Sequence, residues 1–325
     1  MTGPTGPPVP VIMDCDTGID DAFAVMFAVR HPGIDLRAIT CVAGNSTVDR
    51  VVANTRYVLD AAGAGEIPVG RGASSPLLVA APESGSFHGA DGLGGFSRPS
   101  DRRTSSLSAV DLLRHELLAA VANGEPITLI ATAPLTNIAL LLRAHPEVAA
   151  GIDRLVFMGG SASVGNVTAV ADFNIFHDPE AAAIALAAAR DLDIPVTMYG
   201  LDVFEQVLVS RDDATRLRAR LDPACQLAGA LIASQCDKVG TDAVTIGDAG
   251  TVCSVVNPEG LRTERLGVRV ETGHGYTRGQ TIVDQRADPI DHVRMPHSIA
   301  SAWVDVALGV DARGYAALWL DTLLS

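Results

Sequence analysis

Four aspartates lie close together near the start of the chain, in the segment VIMDCDTGIDDAFAVMF (residues 11–27). Asp14, Asp16, Asp20 and Asp21 directly follow an apolar run that is typical of a buried strand. Carboxylates repel one another, so this crowding needs a physical reason. The group could hold a cation, share protons, or cap the helix that follows. Capping and helix-dipole effects account for one or two acids but not for four.

A cation explains the crowding better than shared protons do. A carboxylate pair that shares a proton needs two acids, not four. Oxygen ligands without a neighbouring His or Cys favour Ca²⁺ or Mg²⁺ over zinc or copper. The sequence therefore predicts a divalent cation site at the end of the first strand.

The elements that carry these residues alternate regularly. Short apolar runs such as PVIMD, ITLIATA and RLVFMGG each precede a longer segment of helical period. Such alternation predicts an α/β fold, with a mainly parallel, Rossmann-like sheet and helices on both faces. Strands rich in Val, Ile and Leu agree with burial on both sides of that sheet.

The predicted organisation is one domain over residues 10–325, after a disordered tail at 1–9 that is rich in Gly and Pro. Residues 71–107 interrupt the alternation with a Gly-, Ser- and Pro-rich stretch, which we interpret as a lid loop. Near the C-terminus, ERLGVRVETG and TRGQTIVDQ predict a small hairpin, and a closing helix is expected around SIASAWVDVAL.

Polar residues follow several of the other predicted strands. In parallel α/β sheets, ligands bind beyond the carboxyl ends of the strands, so these residues are expected to converge on one edge. For Asn166 and Asn174 the alternative is a role in local turns, which is the commoner role of asparagine in loops. The strand-end residues are Asn45, Thr132, Met158, Asn166, Asp172 and Asn174.

Composition narrows the classes of partner. The 325-residue chain has 24 Lys and Arg against 38 Asp and Glu, a net charge of −14, which argues against nucleic acid and anionic membranes. Five cysteines without CxxC spacing indicate reduced thiols in a cytoplasmic protein. The N-terminus does not resemble a signal peptide, and no apolar run is long enough to span a bilayer.

One competing family also begins with an apolar strand and Asp-x-Asp. In phosphatases of the haloacid dehalogenase type, which use Mg²⁺, the first Asp is the nucleophile and a Thr or Val lies four positions later. Here that position is Gly18. Their Lys and later acidic pair have no convincing counterpart in this sequence, so the phosphatase is the weaker alternative.

The assembled segments resemble the inosine–uridine-preferring nucleoside hydrolases. DCDTGIDDA is similar to the DxDxxxDD signature of that family, although many members have Pro at the position of Thr17. The resemblance continues in order and at comparable spacing, so it covers nearly the whole chain from about residue 10. The further segments are AGNST, LTNIAL, VFMGG, DFNIFHDPEAA and TRGQTIVD.

The resemblance implies Ca²⁺-dependent hydrolysis of the N-glycosidic bond of ribonucleosides, giving free base and ribose for nucleoside salvage. The transition state carries positive charge near the sugar C1′, which surrounding carboxylates stabilise. The family is commonly dimeric or tetrameric, which implies a homodimer or homotetramer here. By the same resemblance, the Ca²⁺ ligands are Asp16, Asp21, the backbone carbonyl of Thr132, and Asp248. Residues expected around the ribose are Asp20, Asn45, Met158, Asn166, Asp172 and Asn174.

The resemblance assigns two further kinds of role. Asp16 is the group expected to accept a proton from the attacking water. Asp14 is expected to lie just behind the metal site.

Two departures from the family pattern concern the substrate. Asp172 stands where Glu is common, and Gly247 stands where members carry a His that protonates the base or an aromatic that stacks on it. His88, in an HG context on the predicted lid loop, is the expected substitute acid, with Tyr276 a weaker candidate. Aromatic residues make up 4% of the chain, which predicts a sparse cage around the base.

These departures leave one more alternative open, a nucleoside- or sugar-binding protein of the same fold with weak turnover. The sequence does not indicate which base is preferred.

Overall fold

The computed structural model describes residues 6–80, 86–287 and 302–325, and all structural statements below concern these residues. Nine strands form one sheet in the order β10, β9, β11, β6, β5, β4, β1, β2, β3, and β7 pairs with β8 in a small separate sheet. The strands are β1 (Val9–Cys15), β2 (Ile34–Cys41), β3 (Val69–Arg71), β4 (Ile127–Ala131), β5 (Ile152–Met158), β6 (Val196–Tyr199), β7 (Leu208–Ser210), β8 (Ala243–Thr245), β9 (Leu261–Val270), β10 (Thr281–Asp284) and β11 (Ala302–Val310).

Eleven α-helices connect or cover the strands within the described ranges. None of them is both long and apolar enough to cross a membrane. They are α1 (Ile19–Arg30), α2 (Val48–Ala61), α3 (Ala109–Asn123), α4 (Thr136–Ala144), α5 (Phe173–His177), α6 (Pro179–Asp191), α7 (Leu201–Phe204), α8 (Arg211–Arg218), α9 (Pro223–Val239), α10 (Asp248–Val256) and α11 (Ala312–Leu324).

The first strand, β1, lies inside the sheet and runs parallel to both neighbours, β2 and β4. Its side chains alternate between two apolar layers because successive residues of a strand point to opposite faces. Val11 and Met13 join one buried cluster with α1, whereas Ile12 joins the other with α3 and α4. The prediction of a mainly parallel sheet with helices on both faces is confirmed.

The strand order reverses between β1 and β4. From β1 the chain proceeds outward through β2 and β3, and it then returns to place β4 on the other side of β1. Crevices at such reversals are where open α/β sheets bind ligands. Asp16 follows β1 and Thr132 follows β4, so two of the predicted site residues lie at this reversal.

The C-terminal prediction was partly right. The hairpin is confirmed, since β9 and β10 are antiparallel neighbours. The helix expected around SIASAWVDVAL is wrong for its described part, because Ala302–Val310 is a strand, paired with β6 and β9. Val304 and Val306 are buried while Trp303 is half exposed, an alternation of period two that favours a strand. The closing helix is α11, just beyond.

The structure describes only part of the predicted tail and of the predicted lid loop. Residues 1–5 of the tail and 81–85 of the loop lie outside the described residues, and Val9 already pairs with Ile34 in the sheet. The described remainder of 71–107 contains a single 3₁₀ turn, Ser86–His88, followed by a compact turn around Asp91.

Asn137, at the start of α4, ties three segments together behind the site. Its Nδ2 donates to Asp14 Oδ1 at 2.8 Å and to the Cys41 carbonyl at 3.1 Å. Its Oδ1 accepts from the Ala73 amide at 3.0 Å. The Asn137 side chain is fully buried, so water cannot take its place in these hydrogen bonds.

We predict that Asn137→Ala lowers the free energy of unfolding by about 2–4 kcal/mol, because it removes hydrogen bonds that join three segments and leaves a cavity behind β1. Urea denaturation measures the change. The matched control is Asn123→Ala at the exposed end of α3, for which we expect less than about 0.5 kcal/mol. A loss at position 137 no larger than the control would contradict this role.

Candidate active site

One cavity of about 810 Å³ opens at the carboxyl ends of the central strands. Asp14, Asp16 and Asp21 are fully or almost fully buried beneath its floor and are not among its lining residues. The cavity therefore brings most of the predicted site residues together. Those that line it are Asp20, Asn45, His88, Thr132, Met158, Asn166, Asp172, Asn174 and Asp248.

Three carboxylates meet at the floor of the cavity. Asp20, Asp21 and Asp248 offer oxygen atoms that all lie within 4.8 Å of one another. The first two lie in the first turn of α1, and Asp248 begins α10, so two helix N-termini face the group. This set differs from the predicted metal ligands in one member, since Asp20 takes the place of Asp16.

Asp21 is held by hydrogen bonds on both carboxylate oxygens. Its Oδ1 accepts from the Thr132 hydroxyl at 2.7 Å, and its Oδ2 accepts from the Gly18 amide at 2.9 Å. Asn45 Nδ2 lies 3.4 Å from the same Oδ2. The end of β4 and the loop after β2 thus fix one carboxylate of the floor.

Asp16 is held on one side only. Its Oδ2 accepts from the Asn45 amide at 2.6 Å, while its Oδ1 is buried without a hydrogen-bond partner. Gly44 makes this geometry possible, because a Cβ there would overlap the Asp16 carboxylate. The AGNS segment is therefore shaped around this aspartate.

Asn174 connects the ends of β4 and β5. Its Nδ2 donates to the Thr132 carbonyl at 3.0 Å and to the Met158 carbonyl at 3.2 Å. The nearby Asp172 accepts at Oδ1 from the Gly160 and Ile175 amides, and its Oδ2 is buried without a partner.

Asn166 plays a local part in the observed conformation. Its Oδ1 accepts from the Phe173 amide at 3.0 Å, which matches the turn role considered as its alternative, although the residue also lines the cavity.

Burial raises the pKa of the six aspartates at or beneath the cavity. The pKa values of Asp20, Asp21 and Asp172 rise to about 6 and that of Asp14 to about 7, chiefly because the buried carboxylates are poorly solvated. Repulsion between neighbouring acids adds to burial in Asp16 and Asp248, whose pKa values lie well above the usual range.

The donor set fits a divalent cation. Asp16 Oδ1 and Asp20 Oδ1 are buried oxygens without partners, and the acids around them disfavour one another's charge. All of the available donors are oxygens, which suits Ca²⁺ or Mg²⁺. A bound cation would offset the cost of burying these carboxylates.

His88 reaches the site from the loop that precedes α3. Its Nδ1 accepts from the Ile19 amide at 3.1 Å, and Gly18 permits this approach because a Cβ there would lie 2.6 Å from Nδ1. Burial lowers the pKa of His88 to about 4, although the Asp20 Oδ1 lies 3.9 Å from Nδ1. The ring is therefore neutral at pH 7, with its proton on Nε2.

Gly247 is required by its surroundings. Its φ is +53°, and a Cβ at this position would lie 2.8 Å from both Phe204 Cζ and Asp20 Cβ. The ring of Phe204 fills the space that a side chain at position 247 would need.

The expectation of a sparse aromatic cage was wrong. Four of the eight phenylalanines line the cavity, because elements far apart in sequence each contribute one: Phe23, Phe87, Phe173 and Phe204. Tyr276, the weaker candidate acid, is fully exposed and is not among the lining residues.

Sequence reasoning also missed Gln235 and Glu205. Gln235 is nearly buried on the inner face of α9, beside Leu231 and Ile232, and lines the cavity. A polar residue on the apolar face of a helix was the available signal. Glu205 follows α7 and carried no such signal.

Comparison with known proteins agrees with this geometry. The family model described as inosine-uridine preferring nucleoside hydrolase matches residues 11–317. A pyrimidine-specific ribonucleoside hydrolase RihA from Shewanella sp. (strain ANA-3) is 36% identical over 97% of this chain and 96% of its own length. The RihA of Citrobacter koseri is 38% identical over 85% of this chain and 88% of its own.

Solved structures give the same result. The plant nucleoside hydrolase PpNRh1 superposes with a TM-score of 0.86 and 30% identity, covering 98% of this chain and 99% of its own. A purine-preferring ribonucleoside hydrolase from Gardnerella vaginalis has a TM-score of 0.84 and 28% identity, covering 97% and 98%.

The match in sequence extends far beyond the DxD segment that suggested a phosphatase, so that alternative is not supported. Because the family model spans nearly the whole chain and its relatives share more than a third of their aligned residues with it, the chain belongs to the inosine-uridine preferring nucleoside hydrolase family, whose reaction is hydrolysis of the N-glycosidic bond.

Proposed function

We propose that this protein hydrolyses ribonucleosides with the aid of bound Ca²⁺, releasing base and ribose in nucleoside salvage. The observation that carries the proposal is the group of buried carboxylates at and beneath the floor of the cavity, among which Asp16 and Asp20 each have an oxygen without a partner. A cytoplasmic location and assembly into a homodimer or homotetramer remain predictions.

The metal is proposed to bind Asp16, Asp21, Asp248 and the backbone carbonyl of Thr132, with Asp20, the remaining member of the observed carboxylate group, left to bind the sugar. Hydrogen bonds from Thr132, Gly18 and the Asn45 amide orient two of these carboxylates before any ligand arrives. A bound Ca²⁺ would supply positive charge for the ribose hydroxyls and lower the pKa of a nearby water.

The remaining polar groups of the floor are proposed to bind the sugar. Asp20 and Asp172 each have a carboxylate oxygen without a partner, suited to accept from ribose hydroxyls. Their negative charge also stabilises the positive charge that develops near C1′ as the bond to the base breaks. Asp16 Oδ1, likewise unpartnered, is the group proposed to take the proton from the attacking water.

The base is proposed to lie among the phenylalanines, with Gln235 at its edge. An amide side chain both donates and accepts, so Gln235 can pair with the carbonyl and N–H groups of a pyrimidine. We propose a preference for pyrimidine ribonucleosides, supported by the 36–38% identity to hydrolases named pyrimidine-specific. The purine-preferring structure is less similar, at 28%.

His88 is proposed to act on the departing base as a neutral donor through Nε2. Its lowered pKa makes the imidazolium scarce at neutral pH, so a hydrogen bond to the developing anion is favoured over full protonation. Gly247 has no side chain that could donate a hydrogen bond to the base. Phe204 beside it can only pack its ring against the base.

The first prediction from this site concerns Asp16. Asp16→Asn removes a carboxylate that serves both the cation and proton transfer, so we expect ribose release from uridine to fall by about 10³-fold. A reducing-sugar assay measures it, and chelation by EDTA should have a similar effect that added Ca²⁺ reverses. Asp101→Asn, an exposed carboxylate, is the matched control.

Near-normal turnover by Asp16→Asn in the presence of EDTA would contradict the calcium mechanism. Binding of uridine by the wild-type protein without release of ribose would support the binding-protein alternative instead. A higher kcat/KM for inosine than for uridine would contradict the proposed pyrimidine preference.

A second prediction concerns the sugar. We expect kcat/KM for 2′-deoxyuridine to be about 10²-fold below that for uridine, because the missing hydroxyl leaves buried polar groups without a partner. Steady-state kinetics on the pair measures the ratio. Comparable values would remove the diol contacts from the proposal.

A third prediction concerns the leaving group. Since Gly247 supplies no acid, p-nitrophenyl riboside and nicotinamide riboside should be cleaved faster than uridine or inosine, because their leaving groups need little help. We expect His88→Ala to lower kcat/KM for uridine by about 10- to 100-fold while changing that for p-nitrophenyl riboside by less than about threefold.

The matched control is His115→Ala, an exposed histidine of α3, which should leave both substrates unaffected. Equal losses on all substrates would show that His88 serves binding or the loop. Equal rates for inosine and the activated riboside, with His88→Ala unaffected, would contradict both parts of the leaving-group proposal.

A further inference from the structure

The chain contains a single lysine. Lys238 is the only Lys in the sequence, so every other basic side chain among the 24 Lys and Arg is an arginine. It lies in the last turn of α9, and its immediate neighbours include Val239, which lines the cavity. Lys238 itself is not among the lining residues, but it follows Gln235 by three positions on the helix that forms one wall of the cavity.

Lys238 holds Phe87 in two ways. Its Nζ donates a hydrogen bond to the Phe87 carbonyl at 2.6 Å, and the same Nζ lies 5.1 Å from the centroid of the Phe87 ring. A compact ammonium with three donors can serve a carbonyl and an aromatic face together. Phe87 itself is 56% exposed, so these contacts order a side chain that would otherwise be free to move.

Residues 87–97, which we call the strap, form one compact turn behind Phe87. The Asp91 carboxylate accepts hydrogen bonds from the Leu93, Gly95 and Ser97 amides at 2.8–3.0 Å. The Gly94 amide donates to the His88 carbonyl at 2.7 Å. The strap is therefore internally fixed, and what remains to be set is its position over the cavity.

Helix α2 holds the middle of the strap. Arg50 Nη1 donates to the Ala90 carbonyl at 2.6 Å, and Asn54 Nδ2 donates to the Asp91 carbonyl at 3.0 Å. Phe87 lies at the other end, on the side of α9, where Lys238 holds it. The middle of the strap is thus secured by α2 and its Phe87 end by α9.

Phe87, which Lys238 contacts, in turn packs against His88. The rings of Phe87 and His88 meet edge to face, with centroids 5.1 Å apart. Both residues line the cavity, as do Gln235 and Val239 on α9. Lys238 therefore bridges two walls of the same end of the cavity, the end proposed to hold the base.

We propose that Lys238 is a positioning residue that sets the distance between the strap and α9, and thereby holds Phe87 against the base, while His88 keeps its own contact with the Ile19 amide. The inference rests on the proposed function, since it assigns the residue to the base end of that site. It concerns substrate affinity at the base and leaves the ribose and the carboxylate floor untouched.

The test compares Lys238→Met, which keeps the length of the side chain without its charge, with Lys238→Arg, which keeps the charge. We expect Lys238→Met to raise KM for uridine about five- to tenfold with kcat within about twofold, and Lys238→Arg to restore much of the loss. Arg216→Met, an exposed cation of α8, is the matched control.

Free ribose separates the two ends of the site. As a competitive inhibitor it occupies the sugar end alone, so its inhibition constant should be unchanged in Lys238→Met. An equal rise in KM and in the ribose inhibition constant would overturn the assignment to the base end, as would an unchanged KM.

The single lysine allows a second, independent perturbation. The N-hydroxysuccinimide ester of acetic acid acylates amines: Nζ attacks the carbonyl, a C–N bond forms, the ester C–O bond breaks and releases the N-hydroxysuccinimide anion with the bonding pair, and the amine proton passes to buffer. Acetylation of Lys238 in the wild-type protein should raise KM for uridine to the value of Lys238→Met. The same treatment of Lys238→Met should change nothing, which controls for the terminal amine. An unaltered KM in the acylated wild type would overturn the proposal.

Hydrogen exchange provides a readout that does not depend on turnover. We expect amides in 87–97 to exchange faster in Lys238→Met than in wild type. Faster exchange with an unchanged KM overturns the positioning role, because Lys238 would then be merely structural. If the wild-type enzyme releases no ribose from any nucleoside, the proposed function fails, and uridine affinity by calorimetry replaces KM in testing Lys238.

Discussion

The cost of burying negative charge is the constraint on which the rest of this structure depends. Six aspartates lie at or beneath one cavity, and burial alone makes each of them reluctant to ionise. The negative charge of these aspartates is stabilised by hydrogen-bond donors from several segments and by the N-termini of α1 and α10. The sheet reversal between β1 and β4 is what allows elements from distant parts of the chain to share this task.

Much of this arrangement could be predicted from the sequence because it is local or periodic. The aspartates of DCDTGIDD lie within eight positions of one another, and the strands are continuous apolar runs, so both the acidic cluster and the parallel sheet leave a linear signature. The C-terminal error has an equally local cause. The segment AWVDVAL is apolar enough to form either a buried helix or a strand. Its strand conformation depends on pairing with β6 and β9, which lie earlier in the chain.

The base end of the site could not be predicted in the same way, because its residues come from five separate segments. Phe23, Phe173 and Phe204 each look like ordinary apolar residues in their own helices, and only the fold gathers them. The 4% aromatic content misled for this reason, since composition does not say where residues lie. Gln235 and Lys238 were missed because a single polar residue on a helix carries little information before its neighbours are known.

Gly247 and Phe204 together restrict how this protein can change. A histidine at position 247 would have to adopt a backbone conformation that residues with a side chain rarely accept, and it would collide with the ring of Phe204. Replacing Phe204 first would instead leave a hole beside Asp20. Each single step is thus unfavourable without the other, so a histidine at position 247 would require changes at both positions together. The residues at positions 204 and 247 therefore constrain each other, and the effects of changing them are not expected to add.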